Sequence, residues 1–353
     1  MIERKAKRHA KAAVFAAAHA KYWEQFDGLY EKIMGYHSEL LALVRENDIE
    51  VIDFGIIDSS EKSYAAADKI NAANPDLIIC NMVTYATSSV FAPIMRSANA
   101  PVILTALQPL SKLDYSKAST FMQLENDNIC SVPEFTGVAV RLGKKVNDVI
   151  LGRLYDDNEV KSEIKEWCDI AKVLNSLKSA RIGLMGHVME AMYDMHADPT
   201  AISASFGLHV PLLEIDDVTE LYDTVTNEEI QKKISLIDSE FDMPEPQSDP
   251  VTSKLTDDDK YQAAKTAAAL DKLVERYNLT GLAYYYEGLP GSIQRKIASS
   301  FIVGNSILNA QGIPMCGEYD IKTCIAMLIM DRLDIGGSFG EFHPFDFEED
   351  FEE

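Results

Sequence analysis

Short apolar runs alternate with amphipathic segments along almost the whole chain, and this alternation constrains the fold more than any other feature. In the first half, apolar runs occur at about 12–17, 51–55, 76–80 and 101–107, with helix-like segments between them. Strands that alternate with helices in this way are typical of βαβ units, whose strands are parallel. We therefore predict a doubly wound, Rossmann-like α/β domain over residues 1–178, which ends in a long helical stretch at about 132–178.

The second half repeats the pattern. We predict strands at 180–186, 208–215 and 281–288, and helices at 256–277, 292–310 and 321–333. The segment 242–250 carries three prolines and no apolar period, which predicts an exposed loop. The sequence thus indicates a second doubly wound parallel-sheet domain over residues 179–335, and residues 336–353 would begin a further domain.

Charge and cysteine content limit the partners and the compartment. Acidic residues outnumber basic ones by 56 to 33, so the formal net charge is −23. Such a surface repels phosphate backbones and anionic lipids, and we expect no nucleic-acid partner and no membrane partner. The five scattered cysteines form no CxxC pair, which suits a reducing compartment. Because no signal peptide or membrane-length apolar run is recognisable, we expect a cytoplasmic protein.

Hydrogen-bonding side chains follow the predicted strands, at the edge where open α/β sheets bind ligands. These side chains are suited to binding hydroxyl groups, although polar loops also occur in any soluble domain, and that alternative stays open. No GxGxxG, GxxxxGK[ST], GxSxG or HExxH motif is present, which disfavours dinucleotide, P-loop, serine-hydrolase and zinc-protease sites. The candidate ligand-binding residues are His19, Tyr22, Gln25, Thr84, Tyr85, Gln108, His187 and Glu190.

Two glutamates in glycine-bearing turns are the sharpest chemical signal. Glu318 lies in GEYDIKT, where Asp320 is placed to cap the following helix. Glu341 lies in GSFGEF, beyond that helix and 341 − 318 = 23 residues later. Facing carboxylates suit a divalent cation or paired acid and base roles. Spacing alone also permits a Glu318 that compensates a helix N-terminus and a Glu341 in a solvated loop.

The segment from GNSILNAQ to GEFHPF resembles the metal-site region of the L-arabinose isomerase family and its L-fucose isomerase relatives. Those proteins carry one metal-binding glutamate in a GE-x-D-x-KT turn, which Glu318 matches. A second lies in a GG-x-SF-x-E stretch, which Glu341 matches, although one residue between GG and SF is missing here. The HAKYW loop, the CNMVTYATSS turn and HVMEAMYD are more loosely similar to the family's sugar-facing loops. The resemblance covers essentially the whole chain, but its specific motif is confined to 317–341.

The resemblance implies a metal-dependent aldose–ketose isomerase that uses Mn²⁺ or another divalent cation. Glu318 and Glu341 would bind the metal and act as the catalytic residues, transferring protons through an enediol. Which glutamate is acid and which is base stays open, as does the identity of the sugar. The family also implies a homo-oligomer, a trimer or hexamer, in which the N-terminal domain of one subunit caps a neighbour's site. The residues that extend into the neighbour's site would then be His19, Tyr22 and Gln25.

Two departures from the family pattern matter. The family's two histidine metal ligands and its third, mostly β domain have no counterpart, and His343 does not match either histidine. We therefore expect a C-terminally truncated chain, and an inactive fragment is one expected outcome. A non-catalytic sugar-binding protein with two α/β lobes is the alternative from another class, and a metal-free hydrolase or lyase is a further one. The GEYDIKT turn favours the isomerase.

Overall fold

The computed structural model describes residues 2–242, 252–341 and 347, and these residues form the predicted α/β fold. The chain divides into two compact units. The first unit comprises Arg8–Ser176, and the second unit comprises Met1–Lys7 together with Leu177–Glu353. Each has one parallel sheet flanked by helices. Most of the loop predicted at 242–250 and most of 336–353, His343 included, lie outside the described residues.

The sheet of the first unit has the strand order β2-β1-β3-β4-β5, and all neighbours are parallel. The order reverses between β1 and β3, which makes this the switch point where such sheets bind ligands. The strands are β1 (Lys11–Ala17), β2 (Glu50–Ile57), β3 (Leu77–Met82), β4 (Val102–Gln108) and β5 (Asp148–Arg153). The helices are α1 (Leu29–Arg45), α2 (Ser60–Ala73), α3 (Ala92–Ser97), α4 (Thr120–Glu125), α5 (Val132–Arg141) and α6 (Asn158–Ser179).

Both faces of this sheet are buried under helices. Phe15 and Leu104 point into a core completed by α2, α3 and α5. Val14 and Ile103, one position away on the same strands, point into the opposite core with α1 and α6. A parallel strand buried on both faces is apolar at every position, which is why the sequence shows unbroken apolar runs there.

The long helix predicted at 132–178 is wrong, because this stretch contains α5, β5 and α6. Gly143 takes the left-handed conformation, with φ 69°, one residue after the last turn of α5. The chain then forms β5, which lies at the edge of the sheet. Ile150 is the one fully buried residue of β5, and the apolar run of this strand is only three residues long, at 149–151.

The sheet of the second unit has the order β7-β6-β8-β9, which repeats the arrangement of the first four strands of the other sheet. Helices α8, α10, α11 and α12 share one core with it, and α13 packs against β6, β8 and β9. The strands are β6 (Ile182–Gly186), β7 (Leu212–Leu213), β8 (Gly281–Tyr285) and β9 (Met315–Cys316). The helices are α7 (Pro199–Phe206), α8 (Ile215–Asp223), α9 (Asn227–Glu240), α10 (Asp257–Tyr277), α11 (Ile293–Ala298), α12 (Phe301–Ala310) and α13 (Ile321–Arg332).

Two predicted elements of this unit are corrected. The helix predicted at 292–310 is broken into α11 and α12, and the hydroxyls of Ser299 and Ser300 both donate to the Lys296 carbonyl at the break. Serine hydroxyls that bond to nearby carbonyls compete with the helix backbone. The strand predicted at 208–215 shrinks to β7, because Pro211 has no N–H to donate to a ladder. No helix in the described part of the chain is both long and apolar enough to cross a membrane.

Candidate functional site

Glu318 lies in a strained turn between β9 and α13. Glu318 and Tyr319 have φ values of 59° and 65°, in the left-handed region that side chains other than glycine rarely adopt. The Tyr319 N–H donates to the Tyr284 carbonyl at 3.0 Å. Asp320 caps α13 by accepting its first backbone N–H groups, as predicted. The Asp320 N–H also donates to the Gly317 carbonyl at 3.0 Å, so a backbone hydrogen bond closes the turn around Glu318.

The Glu318 carboxylate is incompletely satisfied. Its Oε2 atom is buried and, among the described residues, has no hydrogen-bond partner. Burial, and secondarily the negative charge of Glu341, raise the pKa of Glu318 above its ordinary value. The two predicted carboxylates therefore interact, although Glu341 itself is exposed. A buried carboxylate oxygen without a partner is a group that a cation or a hydroxyl donor would satisfy.

An open cavity of about 420 Å³ lies beside Glu318, and Tyr285, Glu287 and Arg295 also line it. The Tyr285 hydroxyl lies 3.4 Å from Glu287 Oε2. Burial and then the charges of Glu287 and Glu318 raise the pKa of Tyr285, while Arg295 opposes them. Cavities of this size, with a few converging polar groups, commonly hold small molecules.

The end of β6 forms another part of this edge. Gly186 has a φ of 89°, and a Cβ atom there would lie 2.0 Å from the Tyr285 carbonyl oxygen, so glycine is required. The His187 N–H donates to that carbonyl at 3.1 Å. The exposed His187 ring packs edge-on against the Tyr285 ring, with the centroids 5.3 Å apart. His187 thus lies beside the cavity wall, and Glu190 is exposed three residues further along.

In the first unit, three predicted residues come together at the carboxyl ends of β1 and β3. The rings of His19 and Tyr22 are 5.2 Å apart, and those of Tyr22 and Tyr85 are 6.4 Å apart. Burial, followed by the neighbouring Tyr85 and Asp127, raises the pKa of Tyr22. Gln25 is exposed in the turn that follows Tyr22. These groups lie at the switch point of the first sheet.

Two other predicted residues are engaged within the fold. Thr84 is fully buried, and its hydroxyl donates to the Leu124 carbonyl at 2.7 Å. The Gln108 side-chain amide donates to the Leu110 carbonyl at 2.5 Å. Both side chains therefore hold local structure at the sheet edge.

A series of hydrogen-bonded polar side chains near this edge was not predicted from the sequence. His37 is fully buried, and its Nε2 lies 2.9 Å from Asp53 Oδ1. Asn81 donates from Nδ2 to His37 Nδ1 at 3.2 Å, and Thr105 donates to Asn81 Oδ1 at 3.3 Å. The sequence does offer one indication that His37 is buried. It lies on the same face of α1 as Ile33 and Leu40, which are apolar and buried.

The described residues contain no group of three or more histidine, cysteine, aspartate or glutamate side chains arranged to hold a metal ion. Glu318 and Glu341 supply two carboxylates that interact electrostatically. Arg295, which lines the same cavity, was also missed, because nothing in its local sequence distinguishes it from a surface helix residue.

Two solved structures are distantly similar to this chain. An ABC transporter solute binding protein from Agrobacterium vitis, solved with bound allitol, is 13% identical and covers 88% of this chain and 76% of its own, at a TM-score of 0.21. A carbohydrate transporter from Acidothermus cellulolyticus, in complex with myo-inositol, is 10% identical and covers 96% and 93%, at a TM-score of 0.23.

Sequence comparison is more informative. Residues 181–336 match the L-arabinose isomerase central domain family. The L-arabinose isomerase of Cellvibrio japonicus is 22% identical over 320 residues, which cover 85% of this chain and 59% of that protein. The Bacillus subtilis L-arabinose isomerase is 22% identical over 281 residues, or 77% and 53%. The chain thus spans somewhat more than half the length of these relatives. The chain is similar to these L-arabinose isomerases, and residues 181–336 match the model of their central domain.

Proposed function

We propose that this chain is an aldose–ketose isomerase of the L-arabinose isomerase kind, with Glu318 and Glu341 at its reaction centre. One observation carries the proposal. The Glu318 carboxylate, held in a strained turn, has a buried oxygen with no partner in the part of the chain that the structure describes, and it interacts with the charge of Glu341. This arrangement lies at the end of the segment that matches the central domain of the isomerase family.

The chain's own residues divide the proton transfers between them. An aldose becomes a ketose when a proton leaves C2, an enediol forms, and a proton returns to C1. One carboxylate removes the C2 proton, and the other moves a proton between the O1 and O2 oxygens. Tyr285, Glu287 and His187 offer hydrogen-bonding groups beside the cavity that would orient the remaining sugar hydroxyls.

The acid pair fits a divalent cation such as Mn²⁺. The two carboxylates interact, and one has a buried oxygen without a partner among the residues described. They are hard oxygen ligands whose mutual repulsion a cation would relieve. When bound, the cation would polarise the sugar carbonyl and stabilise negative charge on its oxygen. Glu318 and Glu341 would supply two of its ligands.

We also propose a homo-oligomer, a trimer or hexamer, in which the edge formed by His19, Tyr22 and Gln25 faces the site of a neighbouring subunit. The clustered His19 and Tyr22 rings at the switch point of the first sheet support a ligand-facing role for this edge. Sedimentation analysis of the purified chain tests the assembly, and a monomer at all concentrations would contradict it.

The test combines Mn²⁺ titration by calorimetry with an assay of ketose formation from L-arabinose and L-fucose. We expect metal-dependent ketose formation, and we expect Glu318→Gln to weaken Mn²⁺ binding by more than about tenfold and to abolish turnover. Glu46→Gln makes the same chemical change at an exposed position of the first unit and should alter neither quantity.

Two outcomes would overturn separate parts of the proposal. Equal Mn²⁺ binding by the wild type and Glu318→Gln would remove the site assignment. Mn²⁺ binding that depends on Glu318, together with sugar binding but no ketose formation, would remove the isomerase activity. That second outcome would favour a sugar-binding protein with two α/β lobes.

A further inference from the structure

We propose that the second unit carries a peptide-docking groove whose ligand is the chain's own N-terminal segment. Residues 2–6, which we call the N-terminal clasp, lie on the second unit, although the chain continues from Arg8 into the first unit. The groove is formed by the C-terminal ends of α12 and α13 and by the apolar cluster beneath α9 and α10. The groove would bind an extended peptide that has an apolar residue, an arginine and a small residue at alternate positions.

The arginine is the most specific contact. Arg4 Nη1 lies 2.6 Å from Asp331 Oδ1, and Arg4 Nη2 lies 2.5 Å from Asp331 Oδ2, so the guanidinium binds the carboxylate with two parallel hydrogen bonds. Arg4 Nε donates to the Ala6 carbonyl at 3.0 Å, and this hydrogen bond orients the guanidinium relative to the backbone of the clasp. Planar, two-point binding of this kind is selective for arginine over lysine.

The clasp backbone binds the end of a helix. The N–H groups of Lys5 and Ala6 both donate to the Gln311 carbonyl, at 3.0 and 3.1 Å. Gln311 directly follows α12, and the last carbonyls of a helix have no donor within the helix. The clasp is basic, and α12 and α13 both end beside it, so its charge complements the negative ends of both helices. An acidic chain thus keeps a basic segment where two helices end.

Shape completes the groove. Gly312 has a φ of 80°, and a Cβ there would lie 2.8 Å from Ala6 Cβ and 3.2 Å from Arg4 Cζ. At the other end, the partly buried Ile2 packs against an apolar cluster that belongs to α9, α10 and α12. Side chains 2, 4 and 6 therefore meet an apolar patch, a carboxylate and a glycine in turn. This pattern is that of a peptide ligand rather than of a tail lying on a surface.

The clasp bridges two helices that matter for the candidate site. It holds the end of α12 through Gln311 and the end of α13 through Asp331, and α13 begins directly after the Glu318 turn. Its contacts are few and partly exposed, with the Arg4 side chain 33% exposed, so it can detach without global unfolding. The segment is thus a detachable ligand of the second unit.

Hydrogen exchange of the full chain tests the docking. In Arg4→Glu we expect exchange at the Ala6 amide and at the last turn of α13 to accelerate by about fivefold or more. Lys7→Glu makes the same change of charge at an exposed residue beyond the clasp and should leave these rates unchanged. Equal rates in the two variants would overturn the proposal. Protection of Ala6 that rises with protein concentration would assign the groove to a second copy and overturn docking within one chain.

A peptide experiment tests the groove itself. The chain lacking residues 1–7 should bind a labelled peptide of residues 1–8 saturably, and the Arg4→Glu peptide should bind about fivefold more weakly. Gly312→Ala should reduce peptide binding to the shortened chain, whereas Gly207→Ala should not, although its φ of 79° imposes similar strain without a contact to the clasp. No saturable binding by a folded shortened chain would overturn the proposal. If the shortened chain does not fold, the exchange comparison of Arg4→Glu with Lys7→Glu decides.

Discussion

The carboxyl edges of the two sheets share a strand order around the switch point but treat their polar groups differently. At the edge of the first sheet, Asn81 and Thr84 are buried and hydrogen-bonded within the fold. At the edge of the second, Glu318 has a strained backbone and a buried oxygen for which residues 2–242 and 252–341 provide no partner. Satisfied polar networks rigidify a structure, whereas unsatisfied groups are available to a ligand. The same strand order therefore carries different polar groups at the two edges: Asn81 and Thr84 are hydrogen-bonded within the fold, whereas Glu318 has an oxygen with no partner among the described residues.

Gly186→Ala should have the largest effect on the second edge. The added Cβ would collide with the Tyr285 carbonyl, and the φ of 89° adds strain, so we expect a loss of about 3 kcal/mol in the free energy of unfolding. Gly28→Ala in the first unit has a similar φ of 79° but open space and should cost about 1 kcal/mol. Urea unfolding measures both. Equal costs would show that the close approach of β6 and β8 is not what holds the second edge.

His37→Leu should destabilise the first unit by removing the buried hydrogen bond between His37 and Asn81. It leaves the buried Asn81 Nδ2 without its partner, whereas Asp53 is exposed and still accepts from the Gly55 N–H, so we expect the free energy of unfolding to fall by about 2 kcal/mol. His9→Leu removes an exposed histidine that lies 3.6 Å from Glu50 and should change stability by less than about 0.5 kcal/mol. Denaturant titration of both variants decides, and a His37 variant as stable as the His9 variant would show that the buried hydrogen bond does not support this edge.

Tyrosine titration sharpens the comparison with a smaller effect. Burial and then Glu287 raise the pKa of Tyr285 above 10.0, so Glu287→Gln should lower it, while Tyr22 of the first edge should titrate as before. A raised tyrosine pKa contributes stability that is present below pH 10.0 and is lost as the pH rises through the folded-state pKa. Glu287→Gln should therefore make this contribution smaller and complete its loss at a lower pH. Carbon-13 shifts of labelled tyrosines measure it, and an unmoved Tyr285 would contradict the contact.

Much of the architecture was predictable because buried parallel strands carry unbroken apolar runs. β1, β3, β4 and β8 were all found in this way, and so was the Asp320 cap of α13, whose side chain and position suffice to identify it. β5 was missed because its apolar run is only three residues long, at 149–151, and lies between helical segments. The break between α11 and α12 was missed because serine hydroxyl bonds leave no gap in the apolar pattern.

For the candidate site, the sequence by itself determined which residues follow the strands and that Glu318 and Glu341 stand in glycine-bearing turns. Tertiary structure alone decided which of these side chains form their hydrogen bonds within the fold. The buried Thr84 hydroxyl donates to the Leu124 carbonyl, while one Glu318 oxygen has no partner within the described ranges. It also decided that the first residues of the chain dock on Gln311 and Asp331, some 300 positions away in sequence. The physical reason is that periodicity and turn chemistry are local, whereas burial and hydrogen-bond partners depend on residues that meet only when the chain is folded.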